Sequence, residues 1–141
     1  MYRITFVFDA FNGREDAEES LVILSASLDL LILRNTRYLI QNPQTPLLYT
    51  SGVRYEQEPQ GLEDWQDIPT TLKMGVGDCE ELACWRVSEL RVRYGVPARP
   101  RIIPQWIAAE ERFDYHIDVW TPRGYEDPSA RLGMQVPPGV R

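Results

Sequence analysis

The residues in this chain that could act together as a nucleophilic machine are Cys79, the single histidine His116, and two acids that follow it, Asp118 and Asp127. A cysteine nucleophile needs a base to take its proton, and the base needs an acceptor to orient its ring. With one histidine in the sequence, a Cys–His pair has to be Cys79 with His116. A buried inert thiol is the alternative for Cys79 taken alone, and a half-buried strand histidine for His116 taken alone.

The element that must carry the thiol begins in Lys73-Met74-Gly75-Val76-Gly77-Asp78-Cys79-Glu80-Glu81-Leu82-Ala83. Two glycines and an aspartate close a loop there, and a helical pattern starts. Asp78 reads as the N-cap, with Glu81 three residues on completing a capping box, which places Cys79 at the first helical position. The free amides and positive end of a helix favour a thiolate there. Glu80 and Glu81 oppose it, so a cationic partner has to tip the balance. Behind the thiol, Ala83, Val87, Leu90 and Tyr94 mark a core face, and Arg86, Glu89, Arg91 and Arg93 fill most other positions. Gly95 stops the helix and Pro97 prevents its resumption. Cys84 lies on another face of the same helix, so the two cysteines should not bridge, and no disulfide framework is expected.

The base must come from a strand. Residues 99–107 and 112–120 are strand-like, and in the second Phe113, Tyr115, Ile117 and Val119 share one face while Asp114, His116, Asp118 and Trp120 share the other. Thr121-Pro122-Arg123-Gly124 is a turn, and a returning strand is expected through Asp127. If Trp120 pairs with Tyr125, Asp118 faces Asp127, and Asp127 lies one diagonal step from His116. Both acids then share the histidine's face. Asp118 projects parallel to the ring, whereas Asp127 can approach its edge, so Asp127 is preferred. The tail beyond Gly133 has no periodicity and reads as an extended or frayed end.

The rest of the chain supplies the frame. Tyr2, Ile4, Phe6 and Phe8 alternate with Arg3, Thr5 and Val7 as in a half-buried strand, and Phe11-Asn12-Gly13 is turn chemistry. A helix is expected over residues 15–41, with Leu21, Leu24, Leu28, Leu31 and Tyr38 on its core face. Ile23, Leu30, Ile32 and Leu33 widen that face, so this helix is either buried on much of its circumference or offers a protein partner a surface. Asn42-Pro43 ends it. Residues 43–69 form a long loop rich in Pro, Gln and acids, with a short strand near 53–56, and Tyr49, Tyr55 and Trp65 could wall a substrate groove or simply pack on the core. A short helix near 69–74 leads back to the Cys loop.

Composition bounds the possibilities. At 141 residues, 43% hydrophobic and 26% charged, the chain suits a single globular domain over 1–141. A formal charge of −6 with no basic stretch argues against nucleic acid or an anionic membrane surface as partner. No signal pattern opens the sequence, and the longest apolar run, 21–33, is too short to span a bilayer and contains Asp29. A cytoplasmic setting is expected. A metal site is not, because Cys79, His116 and the acids lack a second Cys or His at ligand spacing, and no cofactor motif is present.

Gly77-Asp78-Cys79-Glu80-Glu81-Leu82-Ala83, then Leu90-Arg91, then Gly95-Val96-Pro97-Ala98-Arg99, resembles the core of the transglutaminase-like superfamily of cysteine enzymes. The segment from His116 to Ser129 resembles its His strand, turn and Asp-Pro segment, in the same Cys, His, Asp order. The resemblance covers about residues 68–130, and residues 1–67 have no comparably specific match. It implies an α+β, papain-like fold, with the Cys helix and other N-terminal helices packed on an antiparallel sheet that carries His and Asp. It implies acyl transfer on an amide or peptide bond, with Cys79 as nucleophile, His116 as base and Asp127 as orienting acid. A protein or peptide is the implied substrate. Asp118 departs from the pattern, since the family often has an aromatic residue there. Trp65, Gln66 and Tyr55 are candidates for the upstream oxyanion donor, beside the Cys79 backbone N–H. The chain is also similar to short transglutaminase-like proteins of bacteria and their phages, which implies a phage-associated setting as an alternative. The reading is a cysteine protease or amidase working through a thioester. A crosslinking transglutaminase, or a non-catalytic binding or assembly module, is the alternative.

Overall fold

The sixteen-residue helix over Cys79–Tyr94, α3 below, is the element on which both apolar clusters of the core meet. A computed structural model describes residues 2–59 and 63–135. In chain order it contains α1 (Ala17–Gln41), a 3-10 turn (Leu48–Thr50), β1 (Arg54–Tyr55), α2 (Ile68–Met74), β2 (Val76–Gly77), α3, β3 (Arg99–Ile107), a second 3-10 turn (Ala108–Glu110), β4 (Arg112–Thr121), β5 (Gly124–Glu126) and α4 (Pro128–Arg131). The class is α+β. β1 and β2 form a short parallel pair, and β3, β4 and β5 an antiparallel sheet in that order.

Two apolar clusters meet on α3. Cys79, Ala83, Cys84, Val87 and Leu90 face Leu28 and Ile32 of α1, Ala98, and Ile117 and Val119 of β4. Leu82 and Trp85 face Leu39, Leu48, Val53 and Ile68. Each Leu, Ile or Val among these, removed from water, contributes about 1.5–3 kcal/mol, so a helix buried on both sides anchors the domain. Even its acid at position 89 is buried: Glu89 accepts from Arg86 at 2.8 Å and from the Leu48 backbone N–H at 2.8 Å. Arg86 also reaches Glu126 of β5 at 2.9 Å. The expected solvent face of α3 is thus largely interior. Tyr94, expected in the core, is instead 55% exposed at the end of the helix. Gly95 closes α3 in the left-handed conformation, with its N–H bonded to Leu90 O.

α1 is more one-sided than its composition suggests. Leu24, Leu28, Ile32 and Leu39 are buried, whereas Leu30 and Leu33 are 57% and 62% exposed. Leu21, Leu31 and Tyr38 are half-buried flanks of the stripe. The alternating segment at 2–8 is not a strand: among the described residues it pairs with no other segment, and Tyr2, Ile4, Phe6, Val7 and Phe8 are exposed. Period-two patterning fits a sheet edge, but β3 has Pro100 and Pro104 along its length, and a proline supplies no N–H for a further ladder. Residues 53–56 supply only the two-residue β1, and the helix expected near 69–74 is α2.

The sheet sets the site's frame. Ile103 pairs with His116, Trp120 with Tyr125, and Val119 with Glu126. The expected Trp120–Tyr125 register is present, but the returning strand stops at Glu126. Asp127 is therefore not a strand residue opposite Asp118. It is the N-cap of α4, followed by Pro128 at the first helical position.

Candidate active site

The loop that presents Cys79 is built by close backbone approaches. α2 ends at Gly75, left-handed at φ 77°, where a side chain would be strained. Two residues later Gly77 pairs with Tyr55, and its carbonyl accepts from the Glu56 N–H at 2.9 Å. A Cβ at Gly77 would stand 3.2 Å from both Leu82 and Thr71. The β1–β2 pair thus pins the chain immediately before Asp78.

Asp78 is the N-cap of α3, but the capping box is incomplete. Its Oδ1 accepts from the Cys79 N–H at 2.7 Å and its Oδ2 from the Glu58 N–H at 3.0 Å. The first of these engages the backbone donor expected to face an oxyanion. Glu81 does not reach back to the cap; its carboxyl turns toward Glu58 of the preceding loop.

Cys79 is 6% exposed. Its thiol donates to Glu80 Oε2 at 2.9 Å. Burial pushes the thiol well above its ordinary pKa, and the Glu80 and Asp78 carboxylates push it further, while the Ile117 backbone N–H of β4 acts the other way. The helix N-terminus therefore does not by itself yield a resting thiolate. Low-dielectric burial and two adjacent acids outweigh the dipole. Cys84 is fully buried, 3.8 Å from Leu28 O, and both cysteines are free.

Ile117 follows His116, so the sulfur lies against β4 beside the histidine's own backbone. His116 Nε2 stands 3.0 Å from Asp127 Oδ2, with both side chains largely buried. Asp127 works at two atoms, because its Oδ1 caps α4 by accepting from the Ala130 N–H at 3.2 Å. A carboxylate held by a helix start on one side fixes the imidazole on the other. With the proton on Nε2, Nδ1 is the basic nitrogen. Asp118 is occupied elsewhere: Arg101 grips it through two nitrogens, at 2.8 Å and 2.5 Å.

Sequence patterning did not anticipate the number of acids around the thiol. Asp78, Glu80 and Glu81 are all buried. Burial raises the Glu80 carboxyl well above its usual range, helped by the side chain of Glu63. Burial likewise raises Glu81, to about 9, with Glu58 and Asp78 adding to it. Tyr115 turns toward Glu63 without a well-formed hydrogen bond and is raised by burial and by Glu80. Of the candidate oxyanion donors, Trp65 Nε1 donates to Glu63 at 3.1 Å, Tyr55 turns to Asp78, and Gln66 is half-buried. The acid-rich loop at 56–67 was the available signal, but its partners on α3 and β4 are set by the fold.

Two hollows open on the surface. One of about 410 Å³ is lined by Arg91, Pro97, Ala98, Arg99 and Trp120, and one of about 580 Å³ lies between α1 and Ile102. Neither is lined by Cys79, His116 or Asp127. Among the described residues no helix is long and apolar enough to cross a membrane. Compared with known proteins, the chain matches no family model, no curated protein and no solved structure.

Proposed function

We propose that the chain is a transglutaminase-like, papain-like cysteine enzyme that cleaves an amide or peptide bond through a Cys79–His116–Asp127 triad. The observation that carries this reading is the 3.0 Å contact between His116 Nε2 and Asp127 Oδ2, on the strand whose next residue faces the Cys79 sulfur. Asp127 holds the ring so that Nδ1 takes the thiol proton as the sulfur attacks the carbonyl. The resulting imidazolium stabilises the anionic intermediate and then protonates the leaving amine. A thioester remains on Cys79, and water releases the acid. Breaking the thiol's contact with Glu80 is part of this activation, so substrate binding must displace that carboxyl.

The substrate is a protein or peptide, and the domain works in the cytoplasm or in a phage-associated setting. Transfer of the acyl group to an amine in place of water would make the same machinery a crosslinker. A second reading, a non-catalytic assembly module, is favoured by the burial of Cys79 and by the engagement of its backbone N–H with Asp78. Exposed Leu30 and Leu33 of α1 would then serve a protein partner.

The test is interception of the acyl-enzyme. With a panel of peptide and glutamine-containing substrates, hydroxylamine should yield a hydroxamate with wild type and none with Cys79→Ala. Free acid formed whatever amine is added supports a hydrolase; product diverted by primary amines supports a crosslinker. No acyl adduct on Cys79 by intact-mass spectrometry across the panel would leave the assembly reading standing.

A further inference from the structure

Asp78, Glu80 and Glu81 lie within one turn of α3, all buried, and Glu58 and Glu63 approach them from the preceding loop. Among the described residues, no Lys or Arg forms an ion pair with any of these five acids. Buried acids without a countercharge are costly, because each must hold a proton or find a cation. A second observation points to a ligand. Glu80 is 1% exposed, its Oε2 takes the Cys79 thiol at 2.9 Å, and apart from the neighbouring Glu63 carboxyl its Oε1 meets no hydrogen-bond donor. The Cys79 sulfur and one carboxylate oxygen each from Asp78 and Glu80 lie within 4.8 Å of one another.

We propose that Asp78, Cys79 and Glu80 form a site for a thiophilic divalent cation, with Zn2+ the fitting ion. Zinc takes a thiolate at about 2.3 Å and carboxylate oxygens at about 2.0–2.2 Å, a tetrahedral arrangement that spaces ligand atoms by about 3.5 Å. Binding would draw the three atoms in from separations of up to 4.8 Å. A purely oxygen-seeking ion such as Mg2+ has no use for the sulfur. As the S–Zn bond forms, the thiol proton leaves to water. Glu63 is exposed on the loop and lies beside Glu80, so it marks the way in, and it or water completes the coordination. The ion occupies the sulfur that the acyl-transfer reading uses as nucleophile, so zinc would hold the chain reversibly silent. The site itself does not depend on that reading.

The experiment titrates the folded full chain with Cd2+ as a spectroscopic stand-in and then displaces it with Zn2+. One equivalent should produce a sulfur-to-cadmium charge-transfer band that Cys79→Ala abolishes and Cys84→Ala leaves unchanged. Glu80→Gln and Asp78→Asn should each weaken binding by about tenfold or more. A band that survives in Cys79→Ala overturns the proposal. So does one that His116→Ala abolishes while Glu80→Gln leaves intact, since the ligands would then be Cys and His. Should the acid variants fail to fold, wild type alone decides: Zn2+ should protect Cys79 from iodoacetamide and EDTA should restore labelling. Unprotected labelling overturns the site. None of these readouts needs turnover, so cadmium binding in a protein with no acyl transfer would refute the proposed enzyme and leave this site intact.

Discussion

Glu81→Gln should stabilise this protein, and by an amount that grows with pH. Glu81 is 2% exposed in the first turn of α3. Burial, aided by Glu58 and Asp78, raises its carboxyl from 4.5 to about 9. The folded chain therefore keeps a proton that the unfolded chain loses above its ordinary pKa. A group raised in this direction contributes stability that is fully present below pH 4.5 and is lost as pH climbs through about 9. At about 1.4 kcal/mol per pH unit, the loss from pH 4.5 to pH 7 is on the order of 3 kcal/mol. Glutamine has the shape of the protonated acid and can donate N–H to Glu58 at any pH. The variant should thus match wild type near pH 4.5 and exceed it by up to about 3 kcal/mol at pH 7. Urea unfolding followed by tryptophan fluorescence at several pH values measures this directly. If the two stability profiles run parallel from pH 4.5 to pH 8, Glu81 does not hold its proton in the folded state and the buried-acid account of this turn is wrong.

Iodoacetamide should modify Cys79 before Cys84, slowly at neutral pH and faster as pH rises; Glu80→Gln should speed the reaction at pH 8, because it removes the acidic group whose charge and hydrogen bond hold the thiol pKa up. Peptide mapping that finds Cys84 labelled first would refute the site. Asp127→Asn should lower kcat by orders of magnitude while circular dichroism stays native, because the amide disfavours the tautomer that puts the proton on Nε2. Asp118→Asn should instead cost about 1 kcal/mol of stability through Arg101, with the folded fraction still active. Leu28→Ala, at a residue 1% exposed between α1 and α3, should cost about 2–5 kcal/mol in urea unfolding. A cost below the ordinary surface range would mean that α1 is not packed as described.

What the sequence determined by itself was local. Asp78 before a helical run, Gly95 and Pro97 after it, and a turn at Thr121–Gly124 are short-range signals whose geometry involves only neighbouring residues. The helix start and stop and the hairpin register follow from them. Period alone could not decide what lies opposite each face. Residues 2–8 alternate as a strand does, yet a strand needs a partner edge and none is paired with them here. α3 shows one core face in sequence, with Glu and Arg at most other positions, yet in the fold it is buried on both sides. Glu89 is made tolerable there by Arg86 and the Leu48 N–H, partners respectively three and forty-one residues away. The site divides the same way. Cys79 at a helix tip and His116 on a strand are local placements. The sequence already favoured Asp127 over Asp118, but as a strand residue; only the tertiary structure makes it the cap of α4 and ties Asp118 to Arg101 of β3. The resting state of the thiol was likewise decided in three dimensions. A helix dipole is legible in sequence, but burial under β4 and the acid-rich loop is a property of the assembled fold, and in a low-dielectric interior that burial outweighs the dipole.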